Sequence, residues 1–179
     1  MLHTTIRYTK ALSAVFALTL FLTGCKEDAV ANKPVTPIAF EPSDECHVCG
    51  MAMYGFPGPK GEAFEGREKI ARKFCSTRDL MAWYLQPENT PNTYEIFVHD
   101  MGRSDWNRPD DAHLIDARKA VFVVGSNQQG AMGPTLASFA DQPAAQTFAK
   151  AHGGKVFTFD ELTLDVITHP TQFANTPSP

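Results

Sequence analysis

Glu45-Cys46-His47-Val48-Cys49-Gly50-Met51-Ala52-Met53 crowds two thiols, an imidazole and two thioethers into nine residues. Such groups bind metals, exchange disulfides or are buried as small apolar side chains, and each use demands a different local backbone. Taken as an extended segment, Cys49 to Met53 alternates faces, so Cys49, Met51 and Met53 share one side while Gly50 and Ala52 lie behind. Same-face neighbours on a strand sit roughly 6.6 Å apart along the backbone, a gap that a flexible methionine closes by folding back. Cys46 has the opposite parity and joins them only through a turn. Cys49 and Met51 therefore lead Cys46 and Met53 as a pair of sulfurs.

How many thiols the fold must place depends on the N-terminus. Arg7 and Lys10 precede a largely apolar run of twelve residues, Ala11 to Leu22, which is too short to span a bilayer and reads as a secretory signal. Leu22-Thr23-Gly24-Cys25 resembles a bacterial lipobox. This predicts a signal peptide over 1–24, with cleavage after Gly24 and lipidation of Cys25. Removing 24 of the 179 residues leaves 155 and takes away two cations, moving the net charge from −4 to −6. A negative surface argues against nucleic acid as a partner. Once Cys25 is consumed, Cys46, Cys49 and Cys75 remain, and disulfides within the chain cannot use all three. At least one thiol is free or metal-bound.

Residues 25–45, with three prolines and many small or charged side chains, suit a flexible tether after the lipid, and 169–179 a loose tail. Between them the pattern strand, strand, helix, strand is made twice. The first pass, 46–103, has a strand over Gly50–Tyr54, a Gly/Pro turn, and an extended segment from Glu62 towards Phe74. A helix over Thr77–Leu85 follows, opened by Ser76-x-x-Asp79, and then a strand over Tyr94–Val98. Residues 104–118 are a linker. The second pass, 119–168, has a strand over Ala120–Val124, turns to Pro134, and apolar alternation over Thr135–Phe139. It ends with a helix from Asp141 to His152, stopped by Gly153-Gly154, and a closing strand over Lys155–Phe159. The expected class is α+β, two similar small ββαβ domains in tandem after a lipidated tether.

Four chemistries compete for the cluster. A zinc ribbon wants two Cys pairs, and here there is one, with Cys75 and His99 as the available third and fourth ligands. A thiol-disulfide oxidoreductase wants C-x-x-C at the start of a helix, and Gly50-Met51-Ala52-Met53 is a poor helix start. A Cys46–Cys49 disulfide, or a buried thiol, would make the motif purely structural. Soft-metal binding accounts for the methionines as well, because thiolate and thioether sulfurs match Cu(I). Two sulfurs hold Cu(I) poorly, and Met132 is the best third ligand: it sits in Gly130-Ala131-Met132-Gly133-Pro134, a turn where a core role is least natural. Met81 belongs to a helix core. His47, within the cluster, either ligates or faces solvent, and His99, after an apolar strand, supplies a nitrogen ligand or a hydrogen bond.

Together the lipobox cysteine, Glu-Cys-x-x-Cys-Gly-Met, Gly-Ala-Met-Gly-Pro and Ala-His-Gly-Gly-Lys-Val-Phe-Thr-Phe-Asp-Glu-Leu resemble the NosL family. The resemblance runs from Glu45 to about Val166. It implies two similar ββαβ domains and a lipoprotein facing the periplasm. It also implies a copper chaperone, not an enzyme, that delivers Cu(I) to nitrous oxide reductase alongside a membrane ABC-type assembly system. Carried over by position, its ligands are Cys49, Met51 and Met132, with Cys46 a weaker match. A second metal ion such as zinc, on nitrogen and oxygen ligands, points to His47, His99 and Asp100.

Overall fold

Ser76-Thr77-Arg78-Asp79 is a strong local start signal, and the helix it opens organises the first half of the fold. The computed structural model describes residues 34–65, 70–92 and 94–174; the expected signal peptide and Cys25 lie outside the described residues. Ser76 Oγ accepts from the Asp79 amide at 3.0 Å, capping helix α1, Thr77–Tyr84. Its buried residues Thr77, Leu80 and Met81 follow the i, i+3, i+4 spacing of a single stripe. The stripe packs on an antiparallel sheet of β1 (Gly61–Glu65), β2 (Ala71–Phe74), β3 (Tyr94–His99) and β4 (Leu114–Asp116), ordered β2-β1-β3-β4. Gly61 is required at the crossing, since a Cβ there would stand 2.5 Å from Leu80 Cδ2 and 2.9 Å from Phe97 O.

The second half follows the same order. Strand β5 (Val121–Val124) leads into a two-stranded hairpin, β6 (Gln129–Gly130) and β7 (Gly133–Pro134), and then into β8 (Ala137–Phe139). Helix α2 (Gln142–His152) is capped by Asp141, whose side chain accepts from the Ala144 amide at 2.9 Å, and β9 (Lys155–Thr158) closes a sheet ordered β8-β5-β9. A short helix α3 (Leu164–Thr168) ends the regular structure before a 3-10 turn. In both sheets the first strand of the set lies between the second and third. The mixed helix-and-strand class is as expected. One buried cluster runs through both halves, joining Ala63, Leu80 and Ile96 to Phe122, Leu136 and Ile167. Among the described residues no helix is long and apolar enough to cross a membrane.

Several expected segments differ. Gly50–Tyr54 is not a strand: its pairing is the single bridge Glu45↔Ala52, and the first two strands of the set are β1 and β2. A glycine at φ +69 turns the chain there before a ladder can form. Within 104–118, β4 extends the first sheet, and the Trp106 indole donates to Gln129 O at 2.9 Å, so this segment is a packed corner. In the expected tail, Pro170 is buried and Phe173 packs on Phe157 with ring centroids 5.1 Å apart.

The end of the expected tether is also pinned. Ile38 N donates to Glu62 Oε1 and Phe40 N to Asp111 Oδ2, each at 2.9 Å, and Lys73 Nζ donates to Ala39 O at 2.7 Å. Glu62 is fully buried and its Oε2 has no partner; burial pushes its carboxyl up from 4.5 to about 7. The native state thus keeps a proton that the unfolded chain releases near 4.5, so stability falls as pH rises from 4.5 through 7. Glu62→Gln keeps an acceptor for Ile38 and should remove that slope. It should stabilise the protein at pH 8 by on the order of 3 kcal/mol. Urea midpoints of both proteins at pH 5 and pH 8 check this, and a parent midpoint unchanged between those values would refute it.

Candidate metal centre

The nine-residue cluster folds back on itself. Cys46 N donates to Met51 O at 2.9 Å, Gly50 N to Cys46 O at 2.8 Å and Met53 N to Asp44 O at 3.2 Å, so two short arms flank a turn over His47–Gly50. The turn docks on β2, where His47 N donates to Lys73 O at 2.8 Å, two residues before Cys75. Lys73 reinforces the contact by an ion pair with Asp44. Cys75 itself sits between the end of β2 and the Ser76 cap of α1, which brings it under the turn. The sulfurs of Cys46, Cys49 and Cys75 all lie within 4.8 Å of one another. Among the described residues this is the one group of three or more His, Cys, Asp or Glu side chains gathered closely enough to hold an ion.

The three thiols are unequal. Cys46 and Cys75 are buried and Cys49 is exposed. The Cys75 thiol and the backbone amides around the turn favour the Cys46 thiolate, pulling it from 9.0 down to about 5 against the opposing effect of burial. Cys75 is pushed up by its hydrogen bond with Cys46, by burial and by Asp79, whose Oδ2 accepts the Cys75 S–H at 3.0 Å. The site therefore includes a Cys75 thiol whose proton is held in a hydrogen bond to Asp79. A soft cation entering it displaces that proton, so its affinity rises with pH.

The sequence candidates distribute unevenly around this triad. Met51 is half-buried against Cys46, Met53 and Cys75, while Met53 is 1% exposed and works as packing. Ala131 packs on the same cluster, and its neighbour Met132, in the two-residue turn between β6 and β7, is 53% exposed. Cys46, ranked low on strand parity, belongs with the other two thiols because the turn, absent from a strand, carries it inward. Cys75 was not among the expected copper ligands; the sequence offered it only as a third ligand for zinc and through the odd cysteine count.

His99 and Asp100 hold hydrogen bonds within the fold, and His47 packs against aromatic rings. The His47 ring stands edge-on to Phe74 and Trp83, with centroids 5.7 and 5.6 Å away. His99 Nδ1 accepts from Lys60 N at 3.0 Å, so Nε2 carries the proton and donates to Asp111 Oδ1 at 2.9 Å. Asp100 Oδ1 accepts from Gly102 N and Ala140 N, tying the end of β3 to the end of β8. The ring nitrogens of His99 and Oδ1 of Asp100 are thus engaged within the fold, whereas His47 is exposed beside Cys46. Beside the triad, a cleft of about 210 Å³ lined by Phe40, Met53, Tyr54, Phe56, His99 and Arg108 shares Phe40 and Met53 with the cysteine cluster.

Comparison with known proteins places this geometry in a family. The chain is 52% identical over 141 residues to a copper-binding lipoprotein NosL of Stutzerimonas stutzeri, covering 79% of this chain and 73% of that one. It is 32% identical over 166 residues to a copper-binding lipoprotein NosL of Achromobacter cycloclastes, covering 91% and 85%. The crystal structure of the copper chaperone NosL from Shewanella denitrificans superposes with a TM-score of 0.72 at 46% identity, covering 74% of this chain and 98% of that one. The NosL family model matches residues 37–167, and with this extent of similarity the chain belongs to the NosL family.

Proposed function

We propose that this protein is a Cu(I) carrier anchored to a bacterial membrane through lipidated Cys25 and facing the periplasm. Its cargo goes by ligand exchange to nitrous oxide reductase during assembly, beside an ABC-type membrane system. The observation that carries the proposal is one exposed thiol, Cys49 on a surface turn, backed by two buried thiols, Cys46 and Cys75. Three sulfurs suit Cu(I) in number and softness, and an open outer face lets an incoming ligand attack without unfolding the site. Relatives named as copper-binding lipoproteins and as a copper chaperone support the cargo, the anchor and a role other than catalysis. The recipient rests on the family resemblance alone.

Cys49 is the anchoring ligand, Cys46 and Cys75 hold the inner side, and Met51 and Met132 complete the site at its rim. Four of the exposed large apolar residues, Val48 (54%), Tyr54 (65%), Phe56 (38%) and Met132 (53%), lie on the turns around or just after the cluster, where a partner would cover the ion in transit. Tethering to the membrane raises the local concentration of membrane partners. Competitive Cu(I) titration of the reduced chain should give one ion per protein. Met51→Ala and Met132→Ala should each weaken it about 10- to 100-fold. Parent-like affinity in both variants would remove the methionines from the site.

A further inference from the structure

The same three thiols that would take copper are arranged for a second chemistry when the site is empty. Cys49 Sγ lies 3.9 Å from Cys75 Sγ, and a disulfide bond measures about 2.0 Å, so the pair needs about 2 Å of approach. The two partners differ in freedom. Cys75 is 0% exposed and fixed between β2 and the cap of α1, whereas Cys49 is exposed on a turn closed by the Gly50 N to Cys46 O hydrogen bond. Cys46 is held on both sides of its backbone, its N–H on Met51 O and its carbonyl on Gly50 N, and is 2% exposed. The sulfur free to move is Cys49, and Cys75 meets it with a proton acceptor in place, Asp79 Oδ2 at 3.0 Å. Sequence spacing alone suggests a Cys46–Cys49 bond; the tertiary arrangement favours one that crosses from the turn to the helix cap.

We propose that Cys49 and Cys75 form a reversible disulfide in the copper-free protein, and that a dithiol partner must reduce it before copper is loaded. This rests on the carrier reading for its biological sense, not for its chemistry. In reduction, a thiolate of the dithiol attacks the exposed Cys49 sulfur, the Cys49–Cys75 bond breaks, and Cys75 leaves with the electron pair and is protonated beside Asp79. The second thiol of the partner then attacks the mixed disulfide and releases Cys49. Two electrons and two protons pass to this protein, and the partner becomes a disulfide. Formation is the reverse, with a disulfide as oxidant. A bound copper ion occupies both sulfurs and blocks it.

The test uses the full chain carrying Cys25→Ser, so that three thiols remain, reduced and then exposed to glutathione disulfide with and without one equivalent of Cu(I). Mass spectrometry of unreduced peptides should find Cys49 linked to Cys75 and Cys46 free, with thiol loss slowed at least about tenfold by copper. The oxidised form should bind Cu(I) at least about tenfold more weakly until dithiothreitol restores it. Cys49→Ser, a change at an exposed position, should keep both remaining thiols reduced. A Cys46–Cys49 link, a disulfide-bonded dimer or survival of all three thiols would overturn the proposal. Cu(I) titration of the reduced protein is a separate measurement, and a failure there would remove the carrier reading while leaving the disulfide standing.

Discussion

Cys49→Ala should weaken Cu(I) binding by more than about 100-fold, beyond the loss typical of removing a group that only supports a ligand. The side chain is exposed, so urea unfolding of the metal-free protein should shift by no more than about 0.5 kcal/mol. That separation of binding from stability makes the variant informative. Cys75→Ala lacks it: the residue is 0% exposed, and the change leaves Asp79 without its thiol donor as well as removing a ligand. It should lose affinity and also about 1–3 kcal/mol of stability. Competition against a chromophoric Cu(I) chelator, under reducing conditions, measures the first effect in both. Near-parent affinity in Cys49→Ala would mean that copper is held elsewhere.

Phe122→Ala should be the most damaging single change to the fold, at about 3–5 kcal/mol against a total stability of about 5–15 kcal/mol. Phe122 is fully buried at the centre of β5, paired with Ser138 of β8 on one side and Phe157 of β9 on the other. Its cluster reaches Leu80 on α1 and Ile96 on β3, so the cavity opens in a core that both sheets share. Equilibrium urea unfolding should therefore remain a single transition, moved to lower denaturant, when followed by tryptophan fluorescence and by circular dichroism. A first transition confined to the second half would show that the two sheets unfold separately.

Helices α1 and α2 were legible in the sequence because their signals are local, whereas the short α3 was not read from it. Ser76 and Asp79 cap α1, and Asp141 caps α2 ahead of Gly153-Gly154, in contacts that span at most three residues. The Gly50–Tyr54 segment misled for the complementary reason. Its alternation of apolar and small residues suits a strand, but a strand needs a ladder, and the hydrogen bonds of this segment close within Asp44–Met53. Of the two uses open to His99, a nitrogen ligand or a hydrogen bond, the fold shows the hydrogen bond, and its partners Lys60 N and Asp111, like Ala140 N for Asp100, come from other elements and were not legible locally.

For the site, the residue types Cys, Cys and Met around Gly50 were enough to point to a soft cation, because ligand softness belongs to the side chain whatever the fold. The sequence also determined, by counting, that one of Cys46, Cys49 and Cys75 must stay outside any internal disulfide. Only the tertiary structure decided which sulfurs meet. Cys75 lies 26 residues beyond Cys49 and reaches it at 3.9 Å because His47 N bonds to Lys73 O and β2 delivers the next residues under the turn. No periodicity in the chain encodes that contact; it follows from which strand edge is free to accept the turn, and that depends on how the whole sheet is assembled.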